Sequence, residues 1–112
     1  MGLTKTELFT DRQNEIASLA KAIGHPARVA ILDLLSEIEG CICGDLVEET
    51  GLAQPTISQH LTVLKRAGLI QGTINGSGKC YCIDPNGWNA FKNIMTDFLS
   101  LNNIAEINKC CE

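Results

Sequence analysis

The stretch GDLVEETGLAQPTISQHLTVLKRAGLI, residues 44–70, reads as two helices around a tight turn. Asp45 to Thr50 predicts a short helix packed through Leu46 and Val47, and Gly51 supplies the turn after it. Gln54 to Ala67 predicts a longer helix, because Ile57, Leu61 and Leu64 recur at i, i+4 and i+7, the spacing of one buried stripe. Gly68 suits the C-terminal cap, where the backbone turns left-handed. With that stripe inward, Thr56, Ser58, Gln59, His60 and Thr62 are expected to face outward, beside Gln54 at the helix start. These side chains are short or planar and rich in hydrogen-bonding groups, which suits base edges in a DNA major groove. Lys65 and Arg66, farther along, suit phosphates. A merely solvated helix face is usually rich in Glu and Lys, whereas this one carries no acid.

Downstream, the apolar period shortens from helical to alternating. Leu69 to Thr73 and Lys79 to Ile83 are strand candidates, and the Ile74-Asn75-Gly76-Ser77-Gly78 link is a hairpin turn by composition. Asn75, Ser77 and Lys79 are the residues expected to touch DNA from the hairpin tip. Asp84 to Gly87 is expected to end the hairpin, and a last helix to follow from about Trp88 to Leu101. Upstream, a first helix is expected from about Thr4 to Ile23, broken by Gly24-His25-Pro26, with His25 a structural turn residue. A second is expected from Pro26 to Gly40, with Val29, Ile31, Leu34, Leu35 and Ile38 as a buried stripe at helical spacing. Cys41-Ile42-Cys43 is then a short extended piece. The order is α-α-β-α-α-β-β-α, a mainly α chain with one small β-hairpin (α+β). That is the winged helix-turn-helix arrangement, with the motif at about 45–68 and the wing at about 69–84 of a single domain, 1–112.

A chain of 112 residues is one domain by length. It leaves little room for an enzyme cavity beside its core. No His lies near any Cys in sequence and no phosphate-binding glycine loop is present, so the chain is not read as an enzyme. The net charge of −4 is unevenly spread. Thr50 to Ile83 holds no acid and carries Lys65, Arg66 and Lys79, so a basic face sits on an acidic body and can still take phosphate. No run is long and apolar enough for a membrane span and no secretory signal opens the chain, so a cytoplasmic protein with no membrane partner is expected.

The combination of KAIGHPARVAILDLL, AQPTISQHLTVLKRAGLI and a wing ending in CYCIDP, spread over Lys21 to Pro85, resembles the ArsR–SmtB family of metal- and metalloid-responsive repressors. The resemblance covers more than half of the chain. It implies a homodimer built on the first and last helices (about 4–23 and 88–101), operator binding that represses transcription, and release when a metal or metalloid binds. The family's zinc type places Asp, His and Glu ligands on the last helix. Here the only histidines are His25 and His60, so that site is absent. The arsenic type uses a Cys-x-Cys that directly precedes an Asp/Glu-Leu pair. Cys41-Ile42-Cys43 matches it in kind, with Gly44 intervening before Asp45-Leu46.

The residues supply partners of their own for that pair. In a strand, i and i+2 share a face, so Ile42, Tyr81 and Ile83 are expected inward and Cys41, Cys43, Cys80 and Cys82 outward. If the short strand pairs with the wing, four thiols gather on one surface. A reducing compartment disfavours disulfides among them. Three thiolates suit trivalent arsenic or antimony, and four suit tetrahedral zinc or cadmium, with lead a further soft candidate; no permanent cofactor is expected. Cys110 and Cys111 are a third group, of a kind that ligates arsenic in another branch of the family. A redox or persulfide switch and a set of inert or zinc-stabilising cysteines remain as alternatives.

Overall fold

The computed structural model describes residues 7–38, 42–43, 46, 50–73 and 80–100, with residues 43 and 73 as backbone. The elements are α1 (Asp11–Ile23), α2 (Pro26–Ser36), β1 (Ile42–Cys43), α3 (Gln54–Arg66), β2 (Ile70–Thr73), β3 (Cys80–Ile83) and α4 (Pro85–Leu99). This is a winged helix. Most of the Asp45–Thr50 helix lies outside the described residues, although Leu46 and Thr50 themselves are helical.

Two helix starts differ from their expected positions, and each difference has a cap behind it. Helix α1 begins at Asp11 because Thr10 and Gln13 form a capping box, each side chain bonding the other's backbone N–H. Helix α4 begins at Pro85, three residues early. Asp84 Oδ1 accepts from the N–H groups of Asn86 and Gly87, and Pro85 has no N–H to waste at the first helical position. The segment expected to end the hairpin therefore starts the helix. At α2, His25 takes the structural turn role: its Nδ1 accepts from the Ala27 N–H at 3.0 Å. That helix stops at Ser36, short of Gly40, and its buried face is Ile31, Leu32 and Leu35, while Val29 and Ile38, expected in the stripe, are exposed.

Helix α3 ends in a Schellman motif. Gly68, at φ +80°, donates to the Lys65 carbonyl, and Leu69 N–H reaches back to the Leu64 carbonyl. Leu64 and Leu69 are both fully buried, so the turn is fixed by apolar contact as well as by hydrogen bonds. It aims the chain straight into the sheet, where the strands run antiparallel in the order β1-β3-β2. The same turn sets the start of α4. A Cβ on Gly87 would overlap the Gly68 carbonyl, so only glycine lets the helix approach the turn this closely.

One apolar cluster sits where these elements meet. Ile31 and Leu35 of α2, Leu46, Ile57, Leu61 and Leu64 of α3, Leu69, Ile70 of β2 and Tyr81 of β3 are all nearly or fully buried. Burying each such side chain contributes about 1.5–3 kcal/mol, so α3 is clamped from both sides. Helix α4 is different: Trp88, Phe91 and Ile94 touch the core, but none of its residues is fully buried. The exposed Arg12–Asp97 ion pair (3.1 Å) links it to α1. No helix among the described residues is long and apolar enough to cross a membrane.

Candidate nucleic-acid interface and thiol sites

Helix α3 presents its hydrogen-bonding groups on one side. Ile57, Leu61 and Leu64 face the core; Gln54, Gln59, Lys65 and Arg66 are exposed; Thr56, Ser58 and Thr62 are half-buried. The N-cap, Ala53, offers no side-chain bond to the first turn, and that turn contains no acid. Its N–H groups and the positive end of the helix dipole are thus left for an anion. Gln54 Nε2 donates to Ser58 Oγ at 3.3 Å, which holds one outward amide in place. Thr62 turns its hydroxyl back to the Ser58 carbonyl (2.8 Å).

His60 does not belong to that outward face. It is only 9% exposed. Arg28 Nε donates to its Nδ1 at 3.2 Å, and its ring lies 4.5 Å from that of His25. Burial, then the neighbouring His25 and Arg28, lowers its proton affinity below the ordinary histidine range. The ring is therefore neutral, accepts at Nδ1 and ties α3 to the start of α2. The sequence did carry the signal: 57, 60, 61 and 64 together make the i, i+3, i+4, i+7 stripe, and His60 fills its second position.

The basic residues divide between two neighbourhoods. Lys65 reaches the wing, where its Nζ donates to the Gly72 carbonyl. Arg66 instead lines a gap between α1 and α3, beside Lys21 and Arg28, two cations that sequence reasoning did not assign. The tip residues Asn75, Ser77 and Lys79 lie outside the described residues.

The expected pairing of the short strand with the wing is present. Ile42 stands opposite Tyr81, and Cys43 directly opposite Cys80. Tyr81 is buried, and Ile42 and Ile83 pack against the core. Cys80 and Cys82 are partly exposed. Gln71, the register partner of Cys82, donates its Nε2 to that Sγ at 3.6 Å. Cys82 is a free thiol, but Cys80 is disulfide-bonded, contrary to the expectation that disulfides are disfavoured. That expectation rested on the compartment and on the clustered Cys-x-Cys spacing, and neither says how closely a ladder sets its residues. Cys41, Cys110 and Cys111 lie outside the described residues, among which no group of three or more metal-ligating side chains forms.

Comparison with known proteins agrees with this architecture. Residues 25–71 match the family described as "Bacterial regulatory protein, arsR family". An HTH-type transcriptional regulator of Methanocaldococcus jannaschii is 38% identical over 74 residues, which cover 65% of this chain and 82% of that protein. The arsenical resistance operon repressor of Staphylococcus xylosus is 39% identical over 67 residues, 60% of this chain and 64% of that one, so the match spans just under two thirds of that relative. The crystal structure of the transcriptional repressor BigR from Xylella fastidiosa is similar with a TM-score of 0.59 and 30% identity, covering 85% of this chain and 93% of that chain. The helix order, the paired wing and these matches agree: the chain belongs to the arsR family of bacterial regulatory proteins, which are transcriptional regulators and not enzymes.

Proposed function

We propose that the protein is a homodimeric repressor that holds operator DNA through α3 and the wing, and lets go when trivalent arsenic or antimony binds cysteine thiolates. The observation that carries the sensing half is the β1–β3 register, which sets Cys43 opposite Cys80 with Cys82 two residues further along. Residues opposite one another in an antiparallel ladder have Cα atoms about 4.5–5.5 Å apart. That backbone register supports a site shared by the two strands. Three thiolates suit the pyramidal coordination of arsenic(III), and soft sulfur ligands discriminate against magnesium and calcium. The similarity to an arsenical resistance operon repressor supports the same ligand.

An inducer gripping β1 and β3 together would tilt α3, since Leu46 and Tyr81 share its core. In a dimer, the two reading helices must sit about 34 Å apart to enter successive major grooves. A coupling of about 1–3 kcal/mol weakens DNA binding roughly 5–150-fold. The dimer reading is supported by Leu8 and Phe9 before α1 and by Phe98 and Leu99 at the end of α4, all large, apolar and exposed.

A second reading, a redox switch, is favoured by the disulfide at Cys80. The two readings separate on direct binding. Reduced protein is titrated with arsenite and followed by the ultraviolet absorbance of arsenic–thiolate bonds. Saturation at one arsenic per site, lost in Cys43→Ser and in Cys80→Ser, supports the arsenic site. Titration curves that neither variant changes would remove these cysteines from it.

A further inference from the structure

We infer that the gap between α1 and α3 is a phosphate seat: a DNA backbone phosphate beside the reading helix is held there by Lys21 and Arg66, with Arg28 as its fixed wall. The gap is a cavity of about 280 Å³, lined by Ser18, Lys21, Arg28, Val63 and Arg66 together with two alanines. Water takes up about 30 Å³ in the liquid, so the cavity admits a phosphate group with its hydration. Three of the lining residues are cations and none is a carboxylate. On a chain of net charge −4, such a local excess of positive charge marks a place for an anion.

Arg28 makes this more than a coincidence of surface lysines. Its Nη1 donates to the Lys21 and Ala22 carbonyls at 3.1 and 3.0 Å, and its Nε to His60. The guanidinium is therefore held rigid, and it quenches the negative end of α1, which would otherwise repel phosphate. Its Nη2 has no hydrogen-bond partner among the described residues. An arginine fixed in this way loses little entropy on taking one more acceptor.

The position of the cavity selects the source of the phosphate. It continues into a groove lined by Ser58, Gln59, Thr62, Val63 and Arg66, sharing the last two residues with it. The outward side of α3 and the cavity form one surface, so DNA seated along α3 brings its backbone to Lys21. Lys21 lies outside the helix-turn-helix segment and becomes a DNA-positioning residue. This rests on α3 being the helix that meets DNA.

The test uses full-length protein and a fluorescent duplex that the protein selects from a randomised pool, with anisotropy read over a series of salt concentrations. Lys21→Ala is expected to lower the slope of log K against log salt by about 0.9 per bound protomer, and to weaken an unrelated duplex in the same proportion. Lys21→Gln should repeat the loss, and Lys21→Arg should keep the wild-type slope. Wild-type slopes in both Ala and Gln variants would overturn the seat while leaving the reading helix standing. A wild-type protein that binds no duplex would overturn both. Stabilisation by inorganic phosphate over chloride at equal ionic strength, combined with an unchanged slope in Lys21→Ala, would make this a free-anion site and overturn the backbone assignment.

Discussion

Replacing His60 by alanine separates a base-reading histidine from a buried one. The structure sets the size of the effect. Arg28 Nε loses its acceptor, and a hydrogen bond to a charged group contributes about 1.5–3 kcal/mol. The packed ring pair with His25 adds about 0.5–1.5 kcal/mol. Arg28 is only half-buried, so water recovers part of the first contribution, and the expected loss is about 2 kcal/mol, near the low end of the sum. For a domain of this size that corresponds to a Tm lower by roughly 8 °C or more. The assay is urea unfolding of the reduced protein without DNA. His60→Gln retains an acceptor and should lose less than His60→Ala. An exposed side chain away from special features changes stability by no more than about 0.5 kcal/mol. A change that small in His60→Ala would refute the buried node and return His60 to the outward face.

The same node gives a pH dependence. The folded state lowers the proton affinity of His60, whereas the unfolded ring titrates near about 6.5. Between the lowered folded value and 6.5 the unfolded chain binds more protons, so stability rises with pH across that window and falls as the solution is acidified through it; His60→Gln should flatten that part of a urea-midpoint-against-pH curve. Gly87→Ala forces a Cβ into the Gly68 carbonyl and should cost at least about 1–3 kcal/mol, as overpacking does, read by thermal unfolding. Asp84→Ala removes the cap of α4 and should cost about 1 kcal/mol, with Asp84→Asn losing less. On the proposed dimer, sedimentation should show the wild type associating, and Phe98→Asp combined with Leu99→Asp should leave a folded monomer at the same concentration.

What could be read from the sequence was what repeats at a fixed interval. The stripe of α3 and the alternation of Cys80, Tyr81, Cys82 and Ile83 each express one residue's relation to another nearby, and α3 and β3 stand where those periods place them, while the Asn-Gly turn lies outside the described residues. Helix ends were less legible because they depend on single capping bonds. Thr10 with Gln13 and Asp84 with Pro85 each outweighed the apolar period that had set the expected start. The face of His60 was misjudged by naming its chemistry before its position in the stripe. Contacts across elements left no local trace at all: nothing near Lys21 in sequence points to Arg66, and only the fold brings them to one cavity. The β1–β3 pairing lies between these extremes, since alternation assigned the faces while the register of Cys43 against Cys80 came from the sheet.

The cysteines of β1 and β3 should control the grip of α3 on DNA. Reduced protein bound to its selected duplex is titrated with arsenite while anisotropy is followed. Release of the duplex by the wild type, with Cys43→Ser and Cys80→Ser staying bound at the same arsenite, is the result predicted. A wild-type complex that arsenite leaves intact, or serine variants that release DNA as readily as the wild type, would contradict it.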